Sequence, residues 1–105
     1  MLNVRILPVV YEDFDDIERW YERQREKLGL EFAASYYDAL GEIERVGHAV
    51  AENVLGFRAI RLRNFPCSVL YRVHDGIAYV TAISHAARDP KRLDNLLRRR
   101  SKLIP

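Results

Sequence analysis

The sequence predicts an α+β domain: an N-terminal strand, then an antiparallel helical hairpin packed on one face of a mainly antiparallel four-stranded sheet, then a short C-terminal helix. Three observations carry this. Apolar residues recur at helical spacing through the first half of the chain, and past Phe57 the spacing changes to that of strands. Between two apolar runs stands Asp75-Gly76, the dipeptide that a two-residue type I′ hairpin turn favours. With 105 residues the chain is the size of one domain, residues 1–105. Its 49% hydrophobic content, with Trp20, four Phe and six Tyr, supplies a core and argues against disorder.

Taken in order, Asn3 to Val10 reads as the first strand, with Leu2, Val4, Ile6 and Val9 inward and Pro8 at its end or at an edge. A helix follows from about Asp13 to Leu28, where Phe14, Ile17, Tyr21 and Leu28 keep a helical period with Trp20 beside them. Asp13, Asp15 and Asp16 fall in its first turn, complementing the helix dipole, and Gly29 ends it. The second helix runs from Leu30 to Val46 with Phe32, Tyr36, Leu40 and Ile43 on one side, and Gly29 leaves almost no linker. After a connection at 47–53, strands are expected at Phe57 to Arg63, Cys67 to His74 and Ile77 to His85. The last two are apolar at both parities and therefore covered on two faces. Asp89 caps a final helix that Pro90 opens, with Leu93, Leu96 and Leu97 along one edge and a basic run from Arg98 to Lys102.

A net charge of +2 conceals a strong asymmetry. Residues 11–46 hold eleven acidic and five basic side chains, a net of −6, whereas residues 54–105 hold three acidic and eleven basic, a net of +8. A chain so polarised presents a positive face to an anionic partner. Cys67 is the only cysteine, which leaves no internal disulfide and no cysteine-rich metal site. The Met1 to Val10 stretch lacks the features of an export signal, and no apolar run is long enough to span a membrane, so a cytoplasmic protein without a membrane partner is expected.

Phosphate-binding glycine loops, dinucleotide fingerprints, zinc-protease helices and calcium loops are missing from the sequence. What remains is the group Arg61, Arg63, Arg72, His85 and Arg88. Guanidinium forks suit paired bonds to phosphate or carboxylate, and His85 is the member that exchanges a proton near neutral pH. Each has a structural role open to it as well: Arg61 or Arg72 pairing with Asp16 or another acid, and His85 bonding backbone near Asp89. Tyr71 and Tyr79 read as packing residues or as a stacking platform for bases.

The order of elements, with Ile60-Arg61-Leu62, Val69-Leu70-Tyr71-Arg72-Val73 and Ile83-Ser84-His85-Ala86-Ala87-Arg88-Asp89-Pro90, resembles the ParE/RelE superfamily. These are toxins of bacterial toxin–antitoxin modules, often labelled plasmid stabilisation proteins. Val4-Arg5-Ile6-Leu7-Pro8 leading into Asp13 to Ile17, and Glu31-Phe32-Ala33, extend the likeness over most of the chain. Ala86 stands after His85 where RelE-like ribonucleases often carry a tyrosine, and no tyrosine follows Tyr79, so the likeness is closer to the ParE branch.

The resemblance implies a growth-arresting toxin that inhibits DNA gyrase, held inactive by a cognate antitoxin, without cofactor or metal. In the RelE-like alternative the partners are the ribosome and mRNA, and His85 is catalytic. In a further alternative the chain is a non-toxic binding or scaffold protein, so whether it is an enzyme stays open. Arg61, Arg63, Arg72 and Arg88 are the implied binding or charge-stabilising residues. Leu93, Leu96, Leu97 and Arg98 are expected to contact the antitoxin or another partner, the leucines alternatively packing internally. A homodimer or a toxin–antitoxin hetero-oligomer is the expected assembly.

Overall fold

The computed structural model describes residues 1–53, 55–86 and 89–105. The elements are β1 (Asn3–Ile6), α1 (Val9–Gln24), α2 (Leu28–Val46), β2 (Arg58–Arg61), β3 (Cys67–His74), β4 (Ile77–His85) and α3 (Pro90–Arg100), with short 3₁₀ turns at Gly47–Ala49 and Ser101–Leu103. Asp75 and Gly76 both take positive φ, at 50° and 74°, and close the β3–β4 hairpin as a type I′ turn requires. β3 and β4 occupy the middle of a four-stranded sheet of order β1-β4-β3-β2. β1 runs parallel to β4, and the other pairs are antiparallel.

Both faces of the central hairpin are covered, which is why its strands are apolar at both parities. On one side Val69, Tyr71, Val80 and Ile83 meet Phe32, Tyr36 and Ile43 of α2 and Val10 and Tyr21 of α1. On the other, Leu70 and Ala82 join Phe57 and the fully buried Leu97 of α3 in a second, smaller core. The pairing slips between Leu70 and Tyr71: Tyr71 faces Val80 and Leu70 faces Ala82, which leaves Thr81 as a bulge.

The helical hairpin starts and turns earlier than the periodicity implies. β1 stops at Ile6, and α1 begins at Val9 rather than Asp13, with Pro8 at its N-cap at φ −53°. Proline has no amide to satisfy, and its fixed φ suits a helix start. Burial of Val10 outweighs the β-propensity of the Val9-Val10 pair. Asp13, Asp15 and Asp16 therefore lie beyond the first turn, whose acid is Glu12.

The turn between the helices uses Arg25 to Lys27, with Lys27 at φ 72°, and Gly29 lies inside α2 rather than ending α1. A Cβ on Gly29 would stand 3.1 Å from the Glu18 carbonyl oxygen, so this glycine is needed for helix-to-helix approach. Glu22 supplies the missing cap: its carboxylate accepts from the Lys27 and Gly29 amides, both at 2.9 Å. Those two backbone bonds, in that order, hold Glu22 below its ordinary value of 4.5.

The basic end of α3 is not a frayed tail. Arg100 forms a two-pronged pair with Asp13 of α1, Nη1 to Oδ2 at 2.6 Å and Nη2 to Oδ1 at 2.9 Å. The side chains are only 13% and 10% exposed. Nη1 also donates to the Thr81 carbonyl at 2.9 Å, and the Ile83 amide donates to Asp13 Oδ2 at 3.3 Å. One ion pair thus joins α1, the bulge of β4 and α3.

Removing one partner of such a pair leaves a buried charge. Arg100→Ala is expected to cost about 3 kcal/mol in urea unfolding. The Asp13→Ala, Arg100→Ala double variant should lose much less than the sum of the single losses. The Glu22 cap has a pH signature. Its folded-state pKa is depressed, so its contribution is present above the unfolded value and fades as pH falls through the lower folded one. The stability advantage of the wild type over Glu22→Gln should accordingly be constant at neutral pH and shrink on acidification.

Candidate functional site

Among the described residues, those marked by the sequence do not converge on one point. Arg61 and Arg63 are exposed at the β2 edge of the sheet, where they line a polar cleft of about 430 Å³ with Asp38, Glu42 and Arg45 of α2. Arg72 lies on the opposite side of β3 from Tyr71 and is engaged structurally. Its guanidinium stacks 4.3 Å from the Phe57 ring centroid, and Nη2 donates to the Leu55 carbonyl at 2.8 Å. Arg72 therefore holds the loop leading into β2 against the smaller core. Arg88 lies outside the described residues.

His85 ends β4 opposite Cys67 and is half-buried beside α1. Its ring centroid is 6.2 Å from that of Trp20 and 6.4 Å from that of Tyr21. With Asp16, Ile17 and Trp20 it borders an open, largely apolar recess of about 330 Å³. Neither Arg61, Arg63 nor Arg72 lines this recess. The structure thus brings Arg61 and Arg63 together and leaves Arg72 and His85 each in a separate environment.

The structural pairing open to Arg61 or Arg72 is made by other residues. Asp16 meets Arg19 on the surface at 3.3 Å, and the bond from the sheet region to α1 is that of Arg100 to Asp13. Arg58, not singled out by the sequence, is spent on the preceding loop. Its Nη1 donates to the His48 and Val50 carbonyls at 2.6 and 2.8 Å, and Nη2 pairs with Glu52 at 3.2 Å. Strand alternation sets Arg58 on the face of Ile60, opposite Arg61, and that parity is the signal that separates it from Arg61 and Arg63.

Tyr71 and Tyr79 are both buried, and the Tyr71 hydroxyl donates to the Gly47 carbonyl at 2.7 Å, so neither forms a base-stacking platform. Of the α3 leucines, Leu97 is 0% exposed and packs internally, Leu93 and Leu96 are half-buried against the same core, and Arg98 is exposed. The large exposed apolar side chains lie mostly elsewhere, with Tyr11 and Trp20 on α1 and Leu30 and Tyr37 on α2. Among the described residues no three His, Cys, Asp or Glu side chains gather as metal ligands, and no helix is long and apolar enough to cross a membrane.

No family model matches the sequence, and no curated protein matches it. Among solved structures, a chain described as the chromosomal ParDE TA system from P. aeruginosa superposes with a TM-score of 0.71. The match covers 81% of this chain and 96% of that one. The fold is ParE-like. At 19% identity the likeness is one of backbone, and what the ParE-like scaffold displays is set by this chain's own side chains. Within it the buried Tyr21 and Cys67 stand 3.8 Å apart, oxygen to sulfur.

Burial first, then the neighbouring thiol, pushes Tyr21 from 10.0 up to about 12. Burial also pushes the Cys67 thiol up, against the lowering effect of its bond with Tyr21. Burial likewise raises Tyr36 and Tyr71. A raised phenol stabilises the fold fully below its unfolded value, and that contribution disappears as pH rises through the folded one. An ultraviolet phenolate titration should therefore show Tyr21 ionising near pH 12. Cys67 should react with a thiol reagent only after denaturant is added.

Proposed function

We propose that the chain is the toxin of a type II toxin–antitoxin module and that it arrests growth by binding DNA gyrase. The observation that carries this reading is the superposition on nearly the whole of a ParDE-system chain, 96% of its length. Among the described residues, the side-chain geometry lends little support to RNA cleavage. A ribonuclease of this scaffold would need His85 to exchange a proton while arginines hold the phosphoryl oxygens. Here Arg61 and Arg63 share a cleft that His85 does not border, and Arg72 is committed to Phe57 and the Leu55 carbonyl.

The cognate antitoxin is the natural partner for the exposed Tyr11, Trp20, Leu30 and Tyr37 of the helical hairpin, since aromatic side chains dominate protein interfaces. Leu97 is already consumed by the core, so α3 offers that partner only the half-buried Leu93 and Leu96.

Expression of the chain alone should arrest growth, and co-expression with a small neighbouring open reading frame should relieve the arrest. The purified chain should inhibit gyrase in a supercoiling assay. An absence of any effect on gyrase, together with ribosome-dependent RNA cleavage that falls about a hundredfold in His85→Ala, would replace this reading with the nuclease one. Silence in all three assays would leave a binding protein of ParE-like fold.

A further inference from the structure

α3 presents Lys91, Arg92, Arg98 and Arg99 to solvent, and the turn after it adds Lys102. None of these five side chains has an ion pair or hydrogen bond to a described residue. The one carboxylate exposed on the helix, Asp94, is likewise unpaired. Unlike a flexible basic tail, this helix is capped at one end and anchored to the body of the protein at the other. Asp89 caps it by accepting from the Lys91 amide at 3.0 Å, while Leu97 and Arg100 anchor the other end.

The cations form two rows. Lys91 and Arg98 are seven residues apart, as are Arg92 and Arg99, so each pair is separated by about 10.5 Å along the helix axis. Lys102 extends the first row. Each row thus holds its charges at fixed positions along a rigid rod, as contact with a regularly charged backbone requires. Arg92 and Arg99 also border a cleft of about 320 Å³ with Leu96, Arg100 and Asp13. The Asp13 charge there is already taken up by Arg100, so it does not oppose an incoming anion.

The chemistry of this face selects among anionic partners. A protein interface draws its energy from buried aromatic and apolar anchors; the exposed aromatic side chains sit on α1 and α2, and beside the α3 cations the one large exposed apolar side chain is Leu103 in the following turn. Single-stranded RNA is held largely by stacking on aromatic rings, which α3 also lacks. A duplex backbone asks only for rigidly placed cations. The acidic hairpin packs mainly on the other face of the sheet, and Asp13, the acid of α1 that reaches α3, is paired with Arg100.

We infer that α3 is a docking surface for the phosphate backbone of duplex DNA, using Lys91, Arg92, Arg98, Arg99 and Lys102. This goes beyond the toxin reading and stands or falls separately from it. Binding of this kind is independent of base sequence, weak at physiological salt, roughly 10⁻⁴ to 10⁻⁶ M, and strongly salt-dependent.

The test is fluorescence anisotropy of the purified chain with a short labelled duplex of mixed sequence. Neutralising three to four phosphates predicts about a hundredfold loss of affinity between about 50 and 200 mM salt. Arg92→Glu with Arg99→Glu, and separately Lys91→Glu with Arg98→Glu, should each weaken binding tenfold or more. Arg61→Glu with Arg63→Glu should leave it unchanged. Circular dichroism confirms that the variants fold, and amide NMR shifts on the wild type map the contact without any substitution. The inference is overturned by no binding at the lower salt, by tighter binding to single-stranded RNA, by equal loss in the Arg61 and Arg63 variant, or by amide shifts that fall outside α3.

Discussion

The pair between Asp13 and Arg100 is the constraint on which the outer half of the molecule depends. β1 ends opposite Val80, and just past that point β4 carries the Thr81 bulge. The Thr81 carbonyl and the Ile83 amide there find their partners in the Arg100 guanidinium and the Asp13 carboxylate. A buried backbone group left without a partner costs about as much as a lost hydrogen bond, and a buried charge costs more. Each group at this junction answers the need of another, across 87 positions of sequence.

That junction decides what α3 is for. A helix of eleven residues with one buried leucine has little to hold it in place by itself. Tied at its C-terminal end to α1 and β4, and seated through Leu97 on Phe57, Leu70 and Ala82, it becomes a fixed platform. Its five unpaired cations are consequently displayed at set positions, whereas the acidic charge of the chain lies on the hairpin against the other face of the sheet. The polarity of the sequence thus becomes a polarity of surfaces. Aromatic side chains exposed among acids suit a protein partner, and cations without aromatics suit a phosphate backbone.

The arginines illustrate how one residue type serves unlike ends. Arg58 and Arg72 satisfy loop carbonyls around β2, Arg100 completes a buried pair, and Arg61 and Arg63 remain in the open at a sheet edge. The planar guanidinium makes all of these possible, because it stacks on a ring with one face and donates in plane at the same time. Arg72 does both, over Phe57 and to Leu55. Only the cations that no carbonyl, ring or carboxylate has claimed are left to act on other molecules.

Much of the architecture is written locally and could be read without coordinates. The Asp75-Gly76 turn dictates its hairpin because few residues tolerate positive φ, and Asp89-Pro90 opens α3 because an acceptor side chain and a fixed φ favour a helix start. Two-sided apolar strands announced a sheet covered on both faces. Tertiary structure alone decided where α1 begins, since Val10 gains more from burial than its β-branched side chain loses in a helix, and that in turn set Asp13 facing Arg100. It decided equally that Gly29 serves helix approach, that Leu97 is core, and that Arg61, Arg72 and His85 stand apart. Spacing along a chain fixes which face of an element a side chain occupies. Which distant group meets it depends on how the elements pack, and that is a property of the whole fold.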